Sequence, residues 1–207
     1  MQDYTKDTSS KIKAIETEYK GYRFRSRLEA RWAVFFETAG IKWQYEPEGF
    51  ISNMYETPER YLPDFYLPTS KTWIEVKGTS EALKQEKSKL ENMLDWQSPI
   101  PGIQDSYDDA FSSRGLLILG EIPEPIWGIT LHPIIQHHKG LIWSWCAFEG
   151  RGLNIYHRQE FLSYFTKDPE EWSNSYFQIK TPLATQKTYD SYKAARSARF
   201  EHGENHV

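Results

Sequence analysis

From Gly115 to Leu119 the chain runs Gly-Leu-Leu-Ile-Leu without one polar side chain. Successive side chains of a strand point to opposite faces of its sheet, so a strand this uniformly apolar must be covered on both. That is the mark of an α/β domain, in which other elements pack on each face of a central sheet.

The remaining elements follow from periodicity. Ser26-Arg27-Leu28-Glu29 has the form of a capping box, and Leu28, Trp32, Phe35, Phe36 and Ala39 follow at helical spacing until Gly40, which predicts a helix over about 27–39. Before it, Lys20-Gly21 separates Ala14–Tyr19 from Tyr22–Arg25, where aromatic and Arg residues alternate as in a hairpin. After it, strands are expected at Ile41–Glu46, Tyr61–Leu67 and Thr72–Lys77. A second helix capped at Ser80 carries the stripe Leu83, Leu90 and Leu94. The order over residues 13–120 is thus helix, three strands, helix, strand. Further strands at Ile126–Leu131, Leu141–Phe148 and Leu153–Tyr156, and a terminal helix at Thr185–Phe200, make a β-rich and helical extension over 121–207. Residues 1–12 lack apolar periodicity and are expected to fray.

With 39% hydrophobic residues, eight Trp and thirteen Tyr, the chain has apolar surface enough to offset its conformational entropy. A net charge of −4 argues against a protein that coats nucleic acid through bulk charge. The charge is polarised instead: residues 11–31 carry seven Lys/Arg against three Glu, and 180–199 carry five against one Asp, whereas 95–125 carry six Asp/Glu against Arg114. Cys146 is the only cysteine, which rules out an internal disulfide and the Cys₂His₂ and Cys₄ zinc patterns and points to a reducing cytoplasm. Met1–Ser10 is polar, unlike a signal peptide, and no apolar run reaches the ~20 residues that span a bilayer.

Chemistry enters with Tyr-Leu-Pro-Asp-Phe-Tyr-Leu at 61–67 and Trp-Ile-Glu-Val-Lys-Gly at 73–78. Alternation puts Glu75 and Lys77 on one strand face and Ile74 and Val76 on the other, while Asp64 opposes Phe65. Two adjacent strands can then bring two carboxylates and one ammonium to a single sheet edge. Hard oxygen ligands of this kind bind Mg²⁺ through one or two carboxylates, leaving positions for water and phosphate oxygens, and Mn²⁺ can substitute. Asp64 and Glu75 are the candidate ligands, with the Val76 carbonyl completing the shell. Lys77 is placed to orient or deprotonate a water or to stabilise developing negative charge, which together describe phosphodiester hydrolysis. An exposed, solvated strand face with Asp64 as a turn residue is the alternative.

At these residues a resemblance appears. Tyr22-Arg-Phe-Arg-Ser-Arg-Leu-Glu-Ala-Arg-Trp-Ala-Val-Phe-Phe36, Tyr45-Glu-Pro-Glu-Gly-Phe50, Tyr61-Leu-Pro-Asp-Phe65 and Ile74-Glu-Val-Lys-Gly78 are similar to the small stand-alone PD-(D/E)XK nucleases of phages and prophages. The similarity covers about residues 13–120, with a weaker one at Ala194-Ala-Arg-Ser-Ala-Arg-Phe200. It implies a restriction-endonuclease-like αβββαβ core with a mixed central sheet, and metal-dependent DNA cleavage with Asp64 and Glu75 as metal ligands and Lys77 as the catalytic lysine. It also implies that an acidic residue on the first helix joins the catalytic site, binding the metal directly or through water. Glu29 is that residue here, although its place in the capping box gives it a structural role as well. DNA is the expected partner and a membrane is not; self-association or membership of a larger DNA-processing complex stays open.

Arg25, Arg27 and Arg31 flank the candidate site and could bind phosphates, as could Lys87, which interrupts the apolar stripe of the second helix. Each is equally an ordinary surface cation. His137-His138 reads as surface, Cys146 as buried packing, and Trp127, Trp143 and Trp145 as core. Two other functions fit the same residues: a non-catalytic DNA-binding or recombination-accessory module, and a partner-activated endonuclease subunit of a transposase or defence assembly.

Overall fold

A computed structural model of the chain describes residues 14–53, 58–93, 99–101, 116–122, 130–136, 140–149, 152–156 and 186–200. Its centre is a seven-stranded mixed sheet. In chain order the elements are β1 (Thr17–Tyr19), β2 (Tyr22–Phe24), α1 (Arg27–Ala39), β3 (Gln44–Tyr45), β4 (Phe50–Ser52), β5 (Glu59–Tyr61), β6 (Phe65–Leu67), β7 (Thr72–Val76), α2 (Ser80–Met93) and β8 (Leu116–Leu119). They are followed by β9 (Thr130–Gln136), β10 (Gly140–Glu149), β11 (Gly152–Tyr156) and α3 (Gln186–Ser197). The sheet order is β11-β10-β9-β8-β7-β6-β3, and β1-β2 and β4-β5 form separate two-stranded ribbons. Only β7 and β8 run parallel within the sheet, with α2 as their crossover.

The apolar run at 116–119 is explained by two cores. Leu117 and Leu119 join Ile74, Val76, Phe65, the inner face of α1 and, from α3, Tyr192 and Ala195. Leu116 and Ile118 join Trp73, Phe50, Tyr61, and Leu90 and Met93 of α2 on the opposite face. Sheet and helices therefore form three layers, and the elements after residue 120 continue the same sheet and add α3 to α1. Trp32, fully buried in α1, donates its indole N–H to the Gly120 carbonyl at 2.8 Å and ties the helix to the end of β8. Truncating a side chain so placed costs about 3–5 kcal/mol.

Local signals behave as their physics requires. Ser26 caps α1 in extended conformation with its hydroxyl accepting from the Glu29 N–H, and Gly40 closes the helix at φ 73°. Lys20 and Gly21 both have positive φ, 49° and 79°, as a two-residue hairpin turn demands. The second helix is capped not at Ser80, its first residue, but at Thr79, whose hydroxyl accepts the Ala82 N–H at 3.1 Å, and three strands differ from expectation. The expected strand Tyr61–Leu67 is divided, Tyr61 ending β5 and Phe65–Leu67 forming β6, because Pro63 between them has no N–H to give a ladder. Ile41–Glu46 shortens to Gln44–Tyr45, and Glu46 at φ 42° turns the chain away.

Further on, the strand expected at Ile126–Leu131 is found at Thr130–Gln136, with 126–129 outside the described residues. It runs on through Pro133, which stands opposite Trp143 of β10 but beyond the two residues of β9 that pair with β8, so on that side the strand is an edge at Pro133. Leu94, Trp127, His137-His138 and residues 1–12 lie outside the described residues, and the side chains of β9–β11, including those of Trp143, Trp145 and Cys146, are likewise not described. No helix among the described residues is long and apolar enough to cross a membrane.

Candidate metal and phosphate site

Register brings the acidic residues together. β6 and β7 pair antiparallel with Phe65 opposite Ile74, so Asp64, one residue before β6, falls across from Glu75. Both are buried, at 3% and 4% exposure. Asp64 Oδ2 accepts the Val76 N–H at 2.7 Å, which pins the segment after Pro63 to β7. Glu75 Oε2 accepts the Tyr61 hydroxyl at 2.6 Å, and its Oε1 lies 2.7 Å from Lys77 Nζ. Lys77 is held twice more: its N–H donates to the Leu119 carbonyl at 2.8 Å, and its Nζ lies 2.7 Å from Glu86 Oε2 on α2.

A second acidic position adjoins the first. Glu29, buried at the start of α1, accepts the Ser26 hydroxyl at 2.6 Å on Oε1, and on Oε2 the Tyr45 hydroxyl at 2.6 Å and the Arg25 N–H at 3.1 Å. The backbone donor is thus the residue before the cap, not Ser26 itself. Arg25 then sends its guanidinium to Asp64 Oδ1 at 2.7 Å and lies 2.6 Å from Glu46 Oε1.

The electrostatics are those of crowded negative charge. Burial first, then the charges of Glu75 and Glu29, raise the pKa of Asp64 well above the carboxylate range, against the Val76 N–H and Arg25. Burial and Glu75 likewise push the Tyr61 phenol well up, so it donates and stays neutral. Burial opposes the charge on Lys77, but Glu75 and Glu86 outweigh it and hold the ammonium above its ordinary value. Arg25 also keeps its charge against burial through Asp64 and Glu46.

A cleft of about 460 Å³ opens over this site, lined by Arg25, Tyr61, Glu75, Lys77 and Glu86, with Arg60 and Lys89 at its walls. Asp64 lies behind Arg25. Of the expected residues, Asp64, Glu75 and Lys77 converge, and Glu29 joins them through Arg25. Among the described residues no three His, Cys, Asp or Glu side chains form one metal-ligating group, and the Glu29 carboxylate is turned to its own donors rather than to a shared metal position. Arg27 is exposed and Arg31 half-buried, and neither lines the cleft. Lys87 is exposed and outside it too, whereas Glu86 and Lys89 of the same helix face it.

Sequence reasoning passes over Tyr45, Glu46, Tyr61 and Glu86. Glu86 has a usable signal, standing three residues after Leu83 and four before Leu90 on the apolar stripe. Tyr61 and Tyr45 have none, since a Tyr in a strand is first of all a core residue.

No family model, no curated protein and no solved structure matches the chain. The donor set therefore carries the test of whether a metal belongs here. Glu75 offers a hard carboxylate oxygen at the cleft and Asp64, across from it in the β6–β7 register, a second one behind Arg25, and two buried carboxylates so placed are stabilised by a cation between them. The residues fit Mg²⁺ or Mn²⁺.

Proposed function

We propose that the chain is a metal-dependent nuclease that hydrolyses phosphodiester bonds in DNA, with a restriction-endonuclease-like core of the PD-(D/E)XK class. The observation that carries this reading is the convergence of buried Asp64 and Glu75 with Lys77 beneath a cleft rimmed by Arg25, Arg60 and Lys89. The order α1, β3, β6, β7, α2, β8, with β4–β5 as an inserted hairpin, supports the core assignment.

Asp64 and Glu75 would hold Mg²⁺, with the Val76 carbonyl as a third donor. Bound there, the ion supplies charge neutralisation at a phosphoryl oxygen and a water of lowered pKa. The protein's own groups do the rest. Lys77, charged and fixed between Glu75 and Glu86, orients the attacking water and offsets negative charge that develops on the phosphate. Tyr61 fixes the Glu75 carboxylate by its hydroxyl. Arg25, whose guanidinium rests on Asp64 and lines the cleft, would be free to take a substrate phosphate oxygen once Asp64 has another counter-charge. Glu29 positions Arg25 through its backbone and through Tyr45.

The closure of each carboxylate by a protein donor favours a second reading, an endonuclease subunit of a transposase or defence assembly that its partner activates. Incubation of the chain with single-stranded, double-stranded and branched DNA in Mg²⁺, Mn²⁺ or EDTA tests both. Metal-dependent cleavage by the chain alone supports the first; cleavage only with an added partner supports the second; binding without cleavage under any condition leaves an accessory module.

A further inference from the structure

The cleft has a wall that phosphate chemistry does not use. In the β4–β5 ribbon Ile51 pairs across from Arg60, and the alternation buries Phe50, Ser52 and Tyr61 while turning Ile51 and Arg60 outward. Ile51 is 49% exposed and Leu62, just after β5, is 37% exposed. Both line the cleft with Arg60 and, from α2, Lys89. Neither of these two cations makes an ion pair among the described residues, although the other cations of the cleft, Arg25 and Lys77, do. A single exposed aliphatic side chain needs no explanation. Two of them on one wall, beside two uncompensated cations and next to buried carboxylates, make a surface of mixed character that solvent alone does not reward.

We propose that this wall binds an unpaired DNA strand, with Arg60 and Lys89 taking backbone phosphates and Ile51 and Leu62 packing against base faces. The inference rests on the nuclease reading and adds the class of substrate. In a duplex the base faces are stacked on one another, so a cleft wall meets phosphate, sugar and groove edges. A strand without a partner exposes the base faces, which apolar side chains can cover at no hydrogen-bonding cost. Cations at both walls, from β5 and from α2, give such a strand a path past Lys77.

The test compares fluorescence anisotropy of a labelled single strand and the matching duplex with the full chain, with Ca²⁺ replacing Mg²⁺, over a salt series. The proteins are wild type, Ile51→Ser/Leu62→Ser and Arg60→Ala/Lys89→Ala, each checked by a thermal melt. The expected result is a wild-type preference for the single strand that the Ser double variant loses by about tenfold, with duplex affinity and salt slope unchanged. The Ala double variant should flatten the salt slope on the single strand by about 0.7 for each phosphate it no longer neutralises. An equal loss on both substrates would mean that the aliphatic pair wedges into duplex DNA, and overturns the proposal. No wild-type preference, or a preference that survives in the Ser variant, overturns it as well. If the wild type still cleaves DNA in Mg²⁺ in those cases, the nuclease reading stands alone; if it neither binds nor cleaves any DNA, both fall.

Discussion

Arg25 touches both acidic positions of the site: its guanidinium lies 2.7 Å from Asp64 Oδ1, and its backbone N–H donates to Glu29 Oε2 at 3.1 Å. A half-exposed arginine one residue outside the helix cap therefore offsets the charge of a buried carboxylate. Removing it leaves Asp64 with the Val76 N–H but no counter-charge. Arg25→Ala should lower the melting temperature in EDTA, and Mg²⁺ should restore more of the loss than it adds to wild type, because the ion replaces the missing cation. DNA affinity should fall at the same time. Arg27→Ala, at an exposed position away from the cleft, should change neither. Equal melting losses for Arg25→Ala with and without Mg²⁺ would refute the exchange.

Asp64 itself is expected to cost stability when no metal is bound. Its folded pKa is raised, so the folded state disfavours the ionised carboxylate; the cost is absent below the unfolded value, grows as pH rises toward the folded pKa, and is complete above it. Asp64→Asn should therefore raise the metal-free melting temperature at pH 7, by ~2–4 °C for each ~1 kcal/mol relieved, while abolishing cleavage. The difference from wild type should shrink as pH is lowered toward 4. Melts of both proteins in EDTA from pH 4 to 8 decide it, and a gap between the two that does not change in the variant's disfavour as pH falls toward 4 would contradict the raised pKa.

Glu29 accepts three donors, and only one of them belongs to the helix cap. Ser26→Ala should cost about 1 kcal/mol of stability with little change in cleavage, since it removes a cap. Tyr45→Phe and Glu29→Gln both loosen the seat of Arg25 and should lower cleavage by tenfold or more at limiting Mg²⁺, with melting shifts no larger than that of Ser26→Ala. Metal titrations of cleavage beside thermal melts separate these roles. Should Ser26→Ala lose as much activity as Glu29→Gln, Glu29 serves the helix alone.

Much of this architecture is legible in the sequence because it rests on local rules. The capping box and Gly40 bound α1 to the residue, and the unbroken apolar run of β8 announces a strand between two layers. Asp64, Glu75 and Lys77 are visible because strand alternation is a short-range property. Tertiary pairing is not visible. That Tyr61 leaves the line of β6 to pair with Phe50 depends on a ribbon whose register no local signal sets, and the tyrosine then reaches Glu75 from the other side. Glu86 and Lys87 are neighbours with equivalent helical spacing to Leu83 and Leu90, so the stripe does not choose between them, and the helix turns Glu86 and Lys89, not Lys87, to the cleft. Arg27 and Arg31 share a basic stretch with Arg25, but charge density along a chain does not say which cation faces a site.

On the proposed function, Asp64 and Glu75 together hold the metal that hydrolysis needs. The most direct measurement is Mg²⁺ and Mn²⁺ titration of DNA cleavage by wild type, Asp64→Asn and Glu75→Gln, with binding of the metal alone followed by calorimetry on the same proteins. The expected result is metal-dependent cleavage by wild type, loss of both cleavage and metal binding in each variant, and folding retained. Cleavage by wild type that persists in EDTA, or either variant turning over DNA at the wild-type rate, would contradict it.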